Sequence, residues 1–585
     1  MKRRKRRVGK SCGTSDPCRE ISRIAQRRTL IDPRQAAPFS AAAGGGRAST
    51  PREKKAELTR VAHRAREGKW SHAMIDLQGM KRFRWTRSLM LGLVAAVGGC
   101  MVGPNYRTPP SEMPGQWSEE SKGVEVAAAP DISRWWTLFE DPKLNDLIER
   151  AVRANKDLKI AAARVREARA QRGVTAADLF PTVNADGSYV YSQKSLTTTN
   201  PPLVSSGSSP AATVGGVSTG STNLFQVGFD AGWELDLWGG TRRAVEAADA
   251  NLAASVENLR SVLVTLVSDV AVSYMQVRGF QLRLGIARNN IASQRQTLEL
   301  TQARFEAGLS SELAVAQQKA QLAATEATVP AFESGMRQAI HQLGVLLGGK
   351  PELLLEELLE AEPIPPAPPG VPAGLPSDLL RQRPDIRASE RQLAAATASI
   401  GVATAQLFPQ FSLTGTVGQQ SMFSSKWFTP GSNYFSIGPS VSWAILDAGR
   451  IRWNIKVQDA RQEQAFHTYE KTILVALKDV EDALIAYSKE QDTRESLKLA
   501  VDSNRRAYDI SYELYAKGLV DFLNVLDAQR NLFVTQDQYA QSTLRVSADL
   551  VALYKALGGG WDVPPEAAVR PVARNAPENP VGQGQ

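Results

Sequence analysis

Between Thr241 and Phe305 no proline occurs, and apolar side chains fall at every seventh position: Val256, Leu263, Val270, Val277, Leu284, Ile291, Leu298 and Phe305. Leu252, Leu259, Leu266, Phe280 and Ala287 fill the complementary stripe. A heptad seam this long is the mark of helices packed in a left-handed coil. At 1.5 Å per residue the stretch makes a rod of roughly 100 Å. An ordinary domain is far shorter than that, so the rod needs neighbours along its length.

The seam recurs at a shift of 210 residues, as Phe466, Ile473, Val480, Tyr487, Arg494, Val501, Tyr508 and Tyr515, broken only by Arg494. Its flanks recur as well. Gly308-Leu309 matches Gly518-Leu519, and Leu347-Gly348-Gly349 matches Leu557-Gly558-Gly559. Leu179-Phe180-Pro181 matches Leu407-Phe408-Pro409 at a shift of 228, which places an insertion in the first copy between Pro181 and Trp233. Landmarks at a fixed shift indicate a structural duplication. The expected copies span 100–349 and 378–562, joined by a proline-rich linker at 350–377.

In each copy the period changes from seven to two ahead of the rod. Val183, Ala185, Tyr189 and Tyr191 alternate with polar residues, as do Phe225, Val227, Phe229, Ala231, Trp233 and Leu235. The second copy gives Phe411, Leu413 and Val417, then Phe435, Ile437, Val441, Trp443 and Ile445. Runs of about ten residues with one apolar, aromatic-rich face and one polar face suit transmembrane β-strands. We expect strands at about 183–193, 223–237, 411–420 and 434–446, with long helices at about 241–305 and 450–516. A helix from Lys143 to about Asp178 precedes the first strand pair, and one from Asp378 to Gln406 precedes the second. After Gly308 and Gly518, helices return over about Ser311–Leu347 and Asp521–Leu557. Four strands cannot close a barrel with a lumen, and an open edge is forbidden in lipid. Several chains must therefore share one barrel, and three would supply twelve strands.

The net charge of +10 is local. Residues 1–79 hold 20 Lys and Arg against 7 Asp and Glu. They read as a disordered basic extension ahead of the true start. The chain from Cys100 onward is net acidic, so the basic balance implies no nucleic-acid partner. Met80 to Arg87 is a charged n-region and Ser88 to Val97 an apolar h-region too short to span a bilayer as a helix. Together, residues 80–99 read as an export signal. Val97-Gly98-Gly99-Cys100 resembles a bacterial lipobox, in which the cysteine becomes an acylated N-terminus. The expected attachments are a diacylglycerol and an N-acyl chain on Cys100, enough for stable anchoring in outer-membrane lipid. Cys12 and Cys18 are the other cysteines, and the four histidines are scattered. No cysteine cage, metal spacing, phosphate loop or nucleophile–base set is present, so neither a metal, a further cofactor nor an enzyme is expected. Residues 563–585 read as a disordered tail.

These parts resemble one family, the outer-membrane factors or TolC-like channels, and within it the NodT-type lipoproteins. The resemblance rests on Cys100-Met101-Val102-Gly103-Pro104-Asn105-Tyr106, on Trp135-Trp136 through Asp141-Pro142, and on Arg381-Gln382-Arg383-Pro384-Asp385. Leu407-Phe408-Pro409 and Leu526-Asp527-Ala528-Gln529-Arg530 complete it. It implies a mainly α fold with a membrane β-barrel: a homotrimeric α/β-barrel tube in the outer membrane, extending into the periplasm, with four strands and long coiled-coil helices per protomer. It further implies a passive efflux duct for drugs or other small toxic compounds. Its partners would be a periplasmic adaptor and an inner-membrane resistance–nodulation–division pump. A type I protein-secretion duct and a coiled-coil structural lipoprotein without a pore are the alternatives. By the same resemblance the periplasmic gate falls at Leu523 and Asp527. The position one turn earlier, acidic in some relatives, is Asn524 here, and the first-copy counterpart of Asp527 is Gln317. Asp521 and Asp527 equally suit a helix start, where acids cap and solvate the N-terminus. The tips Gly308-Leu309-Ser310 and Gly518-Leu519-Val520 resemble the surface that meets the adaptor.

Overall fold

The computed structural model describes residues 101–110, 113–118, 124–125, 132–193, 221–367, 371–372, 374 and 376–561. All lie in the second of two units into which the chain divides, Ser88–Gln585. The expectations for residues 1–99, Cys100, most of the first polar loop and the tail lie outside the described residues.

The chain enters as an irregular leader over residues 101–110 and 113–118, and a short helical turn follows at Trp135–Phe139. Asp141 then caps helix α1, Pro142–Ala154, accepting hydrogen bonds from the Lys143 and Leu144 amides. The single helix expected to run to Asp178 is instead two. Asn155 adopts an extended ψ of 139°, its side chain caps α2 (Lys156–Ala177) through the Leu158 amide, and its amide nitrogen donates to the Leu346 carbonyl. An Asx cap in mid-helix offers the backbone an alternative to continuing.

Strands β1 (Thr182–Gln193) and β2 (Ser221–Leu235) follow, then the long helix α3, Gly240–Glu306. Its 67 residues match the expected rod, about 100 Å. The return is broken into α4 (Glu312–Glu326) and α5 (Thr328–Leu346). Pro330 explains the break, because it lacks an amide hydrogen and its ring crowds the carbonyl four residues back. The second half repeats the plan. The helix expected from Asp378 is interrupted: a single turn, Leu379–Gln382, ends at an extended Arg383, the conformation that a following proline enforces, and helix α6 begins at Pro384. Then come α6 (Pro384–Ala405), β3 (Gln410–Ser421), β4 (Asn433–Ser442), α7 (Arg450–Ala516) and an unbroken α8, Phe522–Ala556. Strand β4 stops four residues short of the expected end, leaving Trp443 and Ile445 in the corner before α7.

The strands form one antiparallel sheet in the order β1-β2-β3-β4. Its register aligns Ala185, Phe229, Val417 and Phe435 across one face, and Asn184, Asp230, Thr416 and Ser436 across the other. Among the described residues, the outer edges of β1 and β4 carry no partner strand. Below the sheet, α2, α3, α6 and α7 stand abreast, and further along α3 and α7 pack on α8, with α4 and α5 against α3. The main core lies midway. Trp135, 1% exposed, stacks on Tyr554 at 5.3 Å, beside Phe139, Leu147 and Val270. There Arg278 donates to the Tyr274 hydroxyl, which donates to Asp141; burial first, and then Asp141, push the Tyr274 pKa far upward.

The seam departs from expectation towards the end of α3. Val270, Val277 and Leu284 are buried, but Ile291 and Leu298 are half-buried and Phe305 is exposed. Gln294, Thr297 and Thr301 take the inner positions instead.

Candidate functional site

Three tryptophans brace the corner where strands become helices. Trp233 donates to the Leu179 carbonyl and Trp443 to the Leu407 carbonyl, the same bond in both halves, while Trp238 donates to the Pro409 carbonyl. The two Leu-Phe-Pro segments thus present the carbonyls that the indoles require. At the opposite end of the sheet, the rings of Tyr189, Phe225 and Trp427 pack in sequence, tilted to one another, with centroids 4.9 and 5.4 Å apart. Aromatic side chains therefore flank both ends of an apolar band, as they do where a strand meets the two interfaces of a bilayer. Among the described residues, no helix is long and apolar enough to cross a membrane.

The leader is fastened at the braced corner. The Val102 amide donates to the Trp238 carbonyl at 3.1 Å. Arg243, 1% exposed, donates to the Val102 and Gly103 carbonyls and to Asn105 Oδ1, and pairs with Glu246. This places Met101 at the rim of the sheet. Cys100 itself lies outside the described residues.

The polar face of the sheet continues into the helical wall. A small cavity at the corner is lined by Glu234 of that face with Ala244, Val402 and Gln406. The same three residues also line a cavity of about 770 Å³ between α2, α3, α6 and α7. The corner cavity, which Leu235 also lines, joins the end of the sheet to the larger cavity. Its walls are alanines, amides and hydroxyls, with Arg164, Glu167 and Arg461 as the charged members.

At the far end, both turns close alike. Gly308 and Gly518 take φ of +73° and +76°. The next residues, Leu309 and Leu519, donate back to the Arg304 and Leu514 carbonyls. This is a Schellman closure, which favours glycine at the left-handed position. Leu309 and Leu519 are exposed, whereas Ser310 and Val520 are half-buried, Val520 against the cluster of Tyr515, Phe522, Val525 and Leu526. Leu523 and Asp527 lie one turn apart on α8 and both are exposed. Asp521 occupies the cap position, but its carboxylate makes no capping bond; Ser311 in the first half does.

The sequence reading missed three features. Arg304 donates to the Tyr515 and Ala516 carbonyls and lies over the Tyr515 ring, tying α3 to the end of α7. Its signal was a mismatch, because the second copy has Leu514 there. The polar layer above the tip was also missed. In it Gln318 donates to the Gln294 carbonyl and to Gln529, which donates to Thr297. The third is the arginine-bearing cavity, whose residues are too far apart in the chain to form a local pattern. Among the described residues no cluster of three or more His, Cys, Asp or Glu could hold a metal.

Comparison with known proteins supplies the remaining constraint. The family model described as outer membrane efflux protein matches residues 147–349 and 375–559. The solvent efflux pump outer membrane protein SrpC of Pseudomonas putida is 33% identical over 487 residues, covering 82% of this chain and 99% of SrpC. The probable outer membrane lipoprotein SilC of Salmonella typhimurium is 33% identical over 475 residues, covering 81% and 98%. The outer-membrane channel OprN superposes with a TM-score of 0.71 at 37% identity, covering 79% of this chain and all of OprN.

Proposed function

Because this chain belongs to the outer membrane efflux protein family, whose fold is the TolC-like channel and whose place is the outer membrane, we propose that it is the exit duct of a tripartite efflux system. In this reading, three copies join β1 of one to β4 of the next and complete a twelve-stranded barrel. The apolar aromatic face meets lipid and the polar face meets water. Drugs or other small toxic compounds then pass from a periplasmic adaptor and a resistance–nodulation–division pump through the bore, without covalent chemistry on the protein. The observation that carries this reading is the sheet itself. It has four strands, one apolar and one polar face, and two edges that lipid would not tolerate open.

The anchor follows from the leader. Held at the rim by Arg243 and the Trp238 carbonyl, it would deliver acyl chains on Cys100 into the same layer as the aromatic band. At the far end, exposed Leu309 and Leu519 offer the adaptor an apolar rim. Leu523 and Asp527 of three chains, brought to one axis, would form the constriction. Three carboxylates crowded there repel one another and attract cations.

Purified mature protein in planar bilayers tests the reading. We expect stepwise conductance from a trimer, and a larger step for Asp527→Ala. A stable monomer that passes no ions overturns the duct. A conducting wild type whose steps Asp527→Ala leaves unchanged removes the gate alone.

A further inference from the structure

We propose that the cavity between α2, α3, α6 and α7 is a holding site for anionic solutes in transit, with Arg164 and Arg461 as its cationic contacts. The site rests on the duct reading, because only in a shared bore does this wall face passing cargo.

Two guanidinium groups line the cavity, Arg164 from α2 and Arg461 from α7. They come from the two outer helices of the wall, so the chain brings them to one concavity only through the packing of α3 and α6 between them. Among the described residues neither makes an ion pair or a side-chain hydrogen bond. On α2, Arg172 does find an acceptor, in Asp249. Glu167 lines the cavity one turn from Arg164 but does not pair with it. The cavity thus carries two cations against one carboxylate. A third cation, Arg450, lines an adjoining cavity of about 430 Å³ that shares Gln406 and Asn454.

The remaining wall decides the class of ligand. Gln171, Asn251 and Gln458 supply neutral donors, and the alanines keep the floor open. Among the described residues, Val402 is the one apolar side chain larger than alanine that lines the cavity, so an uncharged hydrocarbon gains little there. A volume of about 770 Å³ suits a drug-sized body. A planar guanidinium holds a carboxylate, sulfonate or phosphate through two parallel hydrogen bonds. The fit is therefore to a compact solute with one or more acid groups and a polar body.

Pyranine, a compact fluorescent trisulfonate, is the probe. Its anisotropy is measured with the full-length mature trimer in detergent at low salt, and the same preparations are assayed for conductance. Wild type is expected to bind saturably, and Arg164→Gln with Arg461→Gln to bind at least about tenfold more weakly, the scale of a lost charge-assisted hydrogen bond. The paired change to lysine should keep much of the affinity, Glu167→Gln should raise it, and Lys426→Gln in the β3–β4 loop should leave it unaltered. Unchanged binding by the double glutamine variant in a conducting trimer overturns the holding site and leaves the duct standing. Equal binding of a cationic dye of similar size overturns it too. A wild type that neither binds pyranine nor conducts overturns both readings.

Discussion

Gly308 and Gly348 look alike in sequence, each near the end of a helix, and each has positive φ, +73° and +70°. They differ in what surrounds them. A Cβ at Gly308 would meet nothing within 4 Å, whereas one at Gly348 would lie 2.4 Å from the Ala154 carbonyl oxygen. Gly308→Ala should therefore cost only the backbone term, about 1–2 kcal/mol. Gly348→Ala adds a collision with main chain that has no rotamer to escape into, at about 1–3 kcal/mol more. Thermal unfolding followed by circular dichroism should rank the two in that order, and equal midpoints would refute the distinction. A second residue-scale prediction concerns acid. Burial pushes the Glu357 carboxyl up, but hydrogen bonds and charge from Lys143 and Arg150 outweigh burial and hold it below the ordinary glutamate value of 4.5. A carboxyl lowered in the folded state stabilises fully above the unfolded value and loses that contribution as pH falls through the lower folded one. Docking of the linker on α1 should therefore weaken below about pH 4.5. Protease cleavage in the linker should rise there in wild type, and Glu357→Gln should flatten that dependence; a parallel pH profile for both proteins would sink it.

At the scale of elements, the long helices and the strand faces were legible because a sustained period leaves one solution. Their interruptions were less so. Pro330 stood in plain view as the reason α4 and α5 are separate, and the repeat comparison offered Ala540 at the matching place in an unbroken α8. Asn155 was harder, since only its bond to the Leu346 carbonyl, far off in the chain, makes the break a fixed joint. The seam illustrates a physical limit. A straight α-helix drifts about 20° per heptad against a 3.5-residue repeat. Over the seven heptads from Val256 to Phe305 the first stripe turns off the contact face, while the complementary stripe of Leu259, Leu266 and Ala287 stays buried and continues as polar Gln294 and Thr301. The polar layer that results is incompletely satisfied. Both side-chain polar atoms of Gln294 are buried without a partner. Leu fills a similar volume without desolvated amide groups, so Gln294→Leu should raise unfolding stability by about 1 kcal/mol. Chemical denaturation measures this, and a loss of stability would mean that the amide has partners, such as internal water.

For the whole molecule, what the sequence could not disclose is how charge is distributed along the wall, because that depends on which faces of distant helices meet. The sheet's polar face bears Asp186, Asp230 and Glu234, all at even positions of β1 and β2. The helical wall below it bears Arg164, Arg450 and Arg461 against Glu167. In a threefold duct these become an acidic zone and a basic zone in series. Cations enter readily from the acidic end and anions from the basic end. Exterior-positive voltage drives both towards the junction, where they accumulate and raise conductance. Reversed voltage drains the junction and lowers it. The effect requires the zones to reach the centre of the bore, so it scales with the Debye length, about 30 Å at 0.01 M salt and about 3 Å at 1 M. Trimers inserted from one side should pass more current with the exterior positive at 0.01 M and equal currents at 1 M. Neutralising the acidic zone with Asp186→Asn, Asp230→Asn and Glu234→Gln should make the low-salt curve nearly symmetrical while conduction persists. A wild-type curve already symmetrical at 0.01 M would mean that the two zones do not act in series on the permeating ions.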